Sequence, residues 1–522
     1  MVDMNKKSYI QNFNNLYNFK NPIRHFFNLD QIIFDDSKEF LLDDLSWTEP
    51  VKFKIYKTEN ENRTISFPNV LNFYHAIKLF KTELNFSDIK LLSRKKRVSP
   101  DLDIGEFSAL SYYESLKKDI FNLTKYDNLL IMDIKSFYGR IYTHDLNFNE
   151  IKEKRVTSMN AGRTNGLLLG SYLSLFIAEK YLLRIEKMLD EELVQENINC
   201  YYEYFSDDFY FFCNKYDIEK IKIIFEKVLN KYDLQVNHEK TMLMGFEEYS
   251  KNNNLEKLWK KIINISIVKD ENAKRERRFN KKHLEYPAFF TQLVYRLNQI
   301  KDIKYKRIFL ANFFKTYYFN NLKPEIYKLS ESDFNYICYI YKLMPETIIY
   351  SLPKIKDIEN FDMNKFKEFI SIRFESSLRN DRHEEQLYFY YAMKLCNFKE
   401  ELEKFKTLVF RTENQVLISY YLMDKIITKE EYGSCLLNYN EKEWFQNYHY
   451  LLTYDKSNLD ILIPAKAKGK KSEKNYYNFY KTNLDNNIPL LKPIDNIEIG
   501  VGKFIQAKID SYSSKQIEED EV

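Results

Sequence analysis

Two adjacent acids, Asp207 and Asp208, stand inside the aromatic run Tyr204-Phe205-Ser206-Asp207-Asp208-Phe209. A carboxylate pair packed among apolar side chains repels itself and loses hydration, so it takes up protons or holds a cation. A third acid, Asp133, closes the apolar run Leu129-Leu130-Ile131-Met132 and is followed by Ile134. Three carboxylates at the ends of two apolar strands suit two-metal phosphoryl transfer, in which divalent ions about 4 Å apart activate a hydroxyl and neutralise the leaving group. An Asp-rich turn would account for the pair alone, but not for Asp133 at the exit of a buried strand.

The elements that must carry these acids follow from periodicity. Tyr201 to Phe205 and Phe209 to Cys213 read as strands, with Ser206-Asp207-Asp208 as the hairpin between them. Further strands are expected over Val51 to Tyr56, Arg63 to Phe67 and Leu129 to Ile134, and helices over Val70 to Phe86, Leu168 to Glu191 and Ile218 to Tyr232. Gly105, Gly139, Gly162, Gly166 and Gly170 crowd into this region, whereas no glycine lies between Gly245 and Gly433. The first stretch therefore needs unusual turns and the second does not.

An α+β fold is expected for residues 1–285 and an all-α region for 286–460, where apolar residues recur at three and four spacings, as in Phe334 to Met344 and Glu384 to Leu408. Helical hairpins stacked as a solenoid and a compact bundle both fit that pattern. Residues 461–522 comprise a basic loop at Lys466 to Ser472, a short apolar segment that packs, and a polar tail expected to be disordered.

Composition excludes more than it assigns. Lys plus Arg is 80 against 76 Asp plus Glu, so a net charge of +4 does not by itself advertise nucleic-acid binding. The 42 Tyr and 41 Phe fit the codon bias of an AT-rich gene as well as base stacking. Five scattered cysteines without C-x-x-C spacing argue against a disulfide framework or zinc ribbon. No apolar run reaches the ~20 residues that span a bilayer, and the N-terminus leads into no signal core, so a cytoplasmic protein without a membrane partner is expected. Two basic clusters, Arg94-Lys95-Lys96-Arg97 and Lys274-Arg275-Glu276-Arg277-Arg278, are candidates for neutralising backbone phosphates, or else solvated basic faces.

The order of the motifs then resembles one family. Asp133 followed five positions later by Tyr138 resembles the first palm motif of reverse transcriptases, and Phe205-Ser206-Asp207-Asp208 resembles their Tyr-x-Asp-Asp box. Asn165-Gly166-Leu167-Leu168-Leu169-Gly170-Ser171 is similar to their glycine-bounded turn and helix, and Leu234-Gln235-Val236-Asn237-His238-Glu239-Lys240-Thr241 to their Leu-x-x-Asn-x-x-Lys-Thr element. The turn lacks the usual proline, and Ser206 stands where Ala, Val or Met is common. Asp133-Ile134-Lys135-Ser136-Phe137-Tyr138 with Ile141-Tyr142-Thr143-His144 resembles instead the abortive-infection and defence-associated reverse transcriptases of bacteria, whose AbiA and AbiK types join the palm to HEAT-like helical repeats.

That resemblance implies a nucleotidyltransferase that adds dNTPs to make DNA. Asp133, Asp207, Asp208 and the carbonyl of Ile134 would bind Mg²⁺ or Mn²⁺. Tyr138 would crowd a 2′-hydroxyl, with Phe137, Gly166 and Gly170 around the nucleotide, Lys240 near the triphosphate and Arg63 on a phosphate. It also implies a homo-oligomer and either an associated non-coding RNA as template or untemplated synthesis primed by a tyrosine, with Tyr512 in the tail, or Tyr9 or Tyr17, as the nucleophile. A catalytically idle palm, kept as a scaffold for RNA or a phage protein, is the alternative.

Overall fold

The hairpin expected around the acids forms, and it lies at the edge of a four-stranded antiparallel sheet. The computed structural model describes residues 10, 12–35, 44–80, 93–146, 148–252, 267–268, 283–284, 286–300, 303–314, 329, 331–435 and 441–497. Arg275, its three basic neighbours Lys274, Arg277 and Arg278, the polar tail with Tyr512, and Tyr9 fall outside them.

After a short helix at Phe13–Tyr17, the elements that frame the site begin with strands β1 (Val51–Tyr56) and β2 (Asn62–Phe67) and helices α1 (Val70–Phe80) and α2 (Ala109–Asn122). They are followed by β3 (Asn128–Asp133), α3 (Glu150–Ser158), α4 (Tyr172–Gln195), β4 (Tyr201–Phe205) and β5 (Asp208–Cys213). The series closes with α5 (Ile218–Asn230), β6 (Met242–Met244) and α6 (Phe246–Asn252). β1 and β2 pair with each other, and the palm-like sheet runs β4-β5-β3-β6. One face buries Leu129, Ile131 and Phe212 with Leu123 and Tyr249, which lie beside and on α2 and α6. On the opposite face Phe209 and Phe211 meet Phe225 of α5, with ring centroids 4.8 and 5.5 Å apart. Alternation along β5 thus feeds two apolar layers, as a sheet covered on both faces requires.

Described residues divide into two compact units. One lies within 1–53, 64–252 and 419–491, and the other within 54–63, 253–418 and 492–522. The consecutive division at 285 and 460 is therefore not how the chain groups. The helix Lys471–Asp485 explains part of the difference, because Tyr476, Phe479, Tyr480 and Leu484 form one buried stripe on it. Tyr480 Oη accepts from Asn69 Nδ2 at 2.6 Å, and Tyr476 Oη donates to Asn72 Oδ1 at 2.6 Å. The expected basic loop keeps its lysines exposed while Ala467 and Ser472 are buried; Lys471 pairs with Asp44 at 2.7 Å, and the Lys466 ammonium sits 3.9 Å over the Trp47 ring.

The second unit is a long helical region, with helices Glu331–Leu343, Thr347–Ile355, Met363–Arg379, His383–Leu395 and Lys399–Phe410. The apolar pattern over Glu384 to Leu408 is thus two helices. Asn397 breaks it at φ +58°, with Asn397 N–H on Lys394 O and Phe398 N–H on Met393 O, the pair of bonds that closes a helix through a left-handed residue. Among the described residues no helix is long and apolar enough to cross a membrane.

Candidate active site

Asp133 is the last residue of β3, and antiparallel register places it directly across from Asp208, the first residue of β5. Ser206 and Asp207 make the two-residue turn, since Phe205 pairs with Asp208. Ser206 takes φ +56°, a backbone region that costs a non-glycine residue about 1 kcal/mol or more. Ile134 N–H donates to Asp207 O at 2.9 Å, which ties the turn to the exit of β3. Asp207 and Asp208 are half-buried, while Asp133 is 3% exposed.

A second segment holds Asp133 from its other side. Val236 bridges Ile134, Lys135 N–H donates to Gln235 O at 2.8 Å, and Asn237 N–H donates to Asp133 O at 2.8 Å. The Asn237 side chain follows, donating from Nδ2 to Asp133 Oδ1 at 2.9 Å, and Lys240 Nζ lies 2.7 Å from Asp133 Oδ2. Both carboxylate oxygens therefore have a donor, one from a fixed amide and one from a half-exposed ammonium. Burial, and then the charge of Asp133, push the Asp207 carboxyl above the usual range.

The glycine-bounded turn packs on the segment 138–141 that follows Asp133 in the chain. Gly166 adopts φ +85°, and a Cβ there would stand 3.3 Å from Gly139 O, so the turn lies close against the backbone after Tyr138. Gly166 N–H donates to Ile141 O and Leu167 N–H to Tyr138 O, at 2.9 and 2.8 Å. Gly170, at φ +121°, meets Ile65 of β2, and Ser66 N–H donates to Leu169 O at 2.9 Å. Tyr138 is half-buried. Phe137 is not at a nucleotide-facing surface: it is 1% exposed and packs on Tyr181 with centroids 6.3 Å apart.

Other expected residues fall elsewhere. Arg63 is exposed in the β1–β2 tip, which groups with the second unit. Of the basic run at 94–97 only Arg94 is exposed. Lys95 is paired with Asp190, Lys96 with Glu179 at 2.9 Å, and Arg97 with Asp119 at 2.6 Å. These charges are already neutralised by carboxylates, which corrects the reading of Lys95, Lys96 and Arg97 as a phosphate-binding patch. Tyr17 is removed as a nucleophile: it is 1% exposed, its hydroxyl donates to Pro68 O, and burial raises its pKa well above the ordinary value. Asn237 was visible only as a motif letter, and its bond to Asp133 needed the fold. Glu179 and Glu203, lone acids in apolar stretches, were the sequence signal for the buried partners.

The donors at the site are all oxygens, the chemistry of Mg²⁺ or Mn²⁺ rather than of zinc. Among the described residues no group of three or more His, Cys, Asp or Glu side chains is drawn together as a ready metal cage. An acid-tipped hairpin beside a third acid on the central strand, backed by helices, defines a polymerase-type palm. The chain carries a reverse-transcriptase domain: residues 76–279 match the family described as reverse transcriptase (RNA-dependent DNA polymerase). No curated protein sequence gives a significant match. Among solved structures the chain is similar to apo telomerase from Candida tropicalis, with 15% identity, TM-score 0.30, and 72% of this chain and 67% of that one covered. Telomerase from Candida albicans in complex with a fragment of telomeric RNA matches at 12% identity, TM-score 0.30, over 71% and 63%. The chain spans about two thirds of the length of these structures.

Proposed function

We propose that the chain is a Mg²⁺-dependent DNA polymerase of the reverse-transcriptase type that serves bacterial antiphage defence. The observation that carries this reading is the gathering of Asp133, Asp207 and Asp208 at one end of the sheet, through the Asp133–Asp208 register and the Ile134–Asp207 backbone bond, with Lys240 against Asp133. Bound Mg²⁺ would activate a hydroxyl nucleophile and neutralise charge on the leaving pyrophosphate. The chain's own residues do the rest. The three acids and the Ile134 carbonyl would hold the cations, Asn237 fixes the orientation of Asp133, and Lys240, half in solvent, would be free to turn to a phosphate oxygen. Tyr138 narrows the sugar pocket against the Gly166 turn and so favours deoxynucleotides.

The defence assignment rests on the Asp-Ile-x-x-Phe-Tyr and Ile-Tyr-Thr-His runs and on Ser206 before the acids. Under it the protein works as a homo-oligomer in the cytoplasm, with a non-coding RNA as template or a tyrosine such as Tyr512 as primer. Purified protein given dNTPs and Mg²⁺, with its co-purifying RNA retained or removed, is expected to make DNA, and Asp207→Asn to abolish synthesis. Synthesis that survives the substitution would show the site to be wrong. Defence that survives loss of both Asp133 and Asp207 would favour the scaffold reading. Nucleotide found on a tyrosine peptide by mass spectrometry would identify protein priming.

A further inference from the structure

Residues 95–97 leave a turn at Arg94-Lys95 and run along the outer edge of β4, the strand that leads into the acid hairpin, bridging it at Lys96. Tyr204 N–H donates to Lys95 O and Arg97 N–H to Tyr204 O, both at 2.9 Å, and Lys96 bridges Tyr204 in parallel. Tyr204 stands three residues before Asp207, so these bonds hold the last turn of chain before the acids. The side chains then fasten the segment to helices on both faces of the sheet. Lys96 reaches Glu179 of α4, with both side chains 2% exposed, and Lys95 reaches Asp190 on the same helix while its ammonium lies 3.9 Å over the Tyr202 ring. Arg97 turns to the opposite face and grips Asp119 of α2 through two parallel bonds, Nη1 to Oδ1 at 2.8 Å and Nη2 to Oδ2 at 2.6 Å. Its guanidinium also lies 3.9 Å over Tyr210 and 3.5 Å from Glu203, whose other oxygen accepts from Tyr201 Oη at 2.5 Å. Tyr249 Oη donates to Asp119 at 2.5 Å and closes the network.

We propose that residues 95–97 act as a positioning strand for the acid hairpin, with Arg97 as the positioning residue. The assignment rests on the polymerase reading above. Buried ion pairs contribute little net stability against apolar side chains of the same volume, so what this network supplies is one geometry. Two parallel bonds from a planar guanidinium fix direction as well as distance. Because Arg97 binds α2 by its side chain and Tyr204 by its backbone, any rotation of β4 about its axis must break one or the other. A displacement of about 1 Å at reacting groups can lower turnover on the order of a hundredfold, so a clamp three residues from Asp207 acts on rate and on the hold of the acids on a cation rather than on dNTP or nucleic-acid binding.

The test uses the full chain in two variants. Arg97→Lys keeps the buried charge and loses the two-pronged grip. The triple variant Arg97→Met, Asp119→Asn, Glu203→Gln removes the charges together and leaves no buried carboxylate unpaired. In both, kcat for dNTP incorporation is expected to fall about tenfold or more with KM for dNTP within about twofold, and Mn²⁺ affinity read by electron paramagnetic resonance to weaken about tenfold. RNA and DNA affinity, and its salt dependence, should not change. Unchanged kcat and Mn²⁺ affinity would overturn the proposal. So would a loss of nucleic-acid affinity with a shallower salt slope at constant kcat, the mark of a phosphate contact. If wild type itself neither binds Mn²⁺ nor makes DNA, the polymerase reading fails and takes the clamp with it, an outcome distinct from wild type and variants behaving alike. Should the triple variant not fold, the kcat and Mn²⁺ affinity of Arg97→Lys decide between these outcomes.

Discussion

Asn237→Leu removes one bond from the candidate site and nearly nothing else. The lost contact is the Nδ2 donor 2.9 Å from Asp133 Oδ1, whereas the Asn237 N–H to Asp133 O bond and the Ile134–Val236 bridge belong to the backbone and persist. A hydrogen bond to a charged acceptor contributes about 1.5–3 kcal/mol. Spent on holding a metal-binding carboxylate in one rotamer, that corresponds to roughly a 10–100-fold change in metal affinity or rate. The assay is dNTP incorporation across a Mg²⁺ titration, with a thermal melt as control. The apparent Mg²⁺ constant is expected to rise by about 10–100-fold, while KM for dNTP and the melt stay close to wild type. A variant with wild-type Mg²⁺ dependence would refute the idea that Asn237 orients Asp133. A variant that lost stability in proportion to activity would refute it as well, because Asn237 would then be a support of the fold alone.

Two further outcomes concern the scaffold. Tyr480→Phe leaves the buried Asn69 amide without its 2.6 Å acceptor; a loss of about 1–3 kcal/mol in urea unfolding is expected, and an unchanged midpoint would show that the Lys471–Asp485 helix is not held there. In the helical unit, burial raises the Glu384 carboxyl to about 7, partly offset by Arg307 and by the Tyr56 N–H bond. The folded state then keeps a proton that the unfolded chain releases near pH 4.5, so stability falls as pH rises from about 4.5 to 7, by about 3 kcal/mol. Glu384→Gln should flatten that window, and parallel wild-type and variant profiles would contradict it. Asp381 acts oppositely and only at the acid end, since its hydrogen bond to His383, and Lys54 with it, hold it down to about 2.

Local chemistry made the acid hairpin legible. Two-residue periodicity, turn-forming Ser206-Asp207 and an apolar run ending in Asp133 each act over a few residues, and the strand Tyr201–Phe205 has the expected bounds. What failed depended on partners far along the chain. Lys96 and Arg97 read as phosphate ligands because their carboxylates lie at 179 and 119, and nothing local reveals that an exposed-looking lysine will be buried against an acid. β6, only Met242–Met244, is too short to show alternation and is defined by its pairing with Leu129 to Ile131. The regrouping of 419–491 with the N-terminal region is of the same kind, since a stripe such as Tyr476-Phe479-Tyr480 announces that a helix buries a face and not against what.

The charges of the palm separate into two populations, and the separation bears on function. Behind the hairpin, carboxylates are matched by cations: Glu179 has Lys96, Asp190 has Lys95, and Asp119 with Glu203 share Arg97 and Lys118, the last at 3.7 Å from Glu203. Matched so, these groups need nothing from outside and are poor candidates for binding phosphate. At the tip the balance is different, because burial and the neighbouring Asp133 raise the Asp207 carboxyl. A site that evolved only for stability would have replaced that acid by an amide or matched it as the others are matched. Carboxylates brought together at the end of a sheet, with the Asp133 rotamer pinned by Asn237 and its second oxygen contacted by a lysine that is half in solvent, are the arrangement on which the proposal of an exchangeable Mg²⁺ rests.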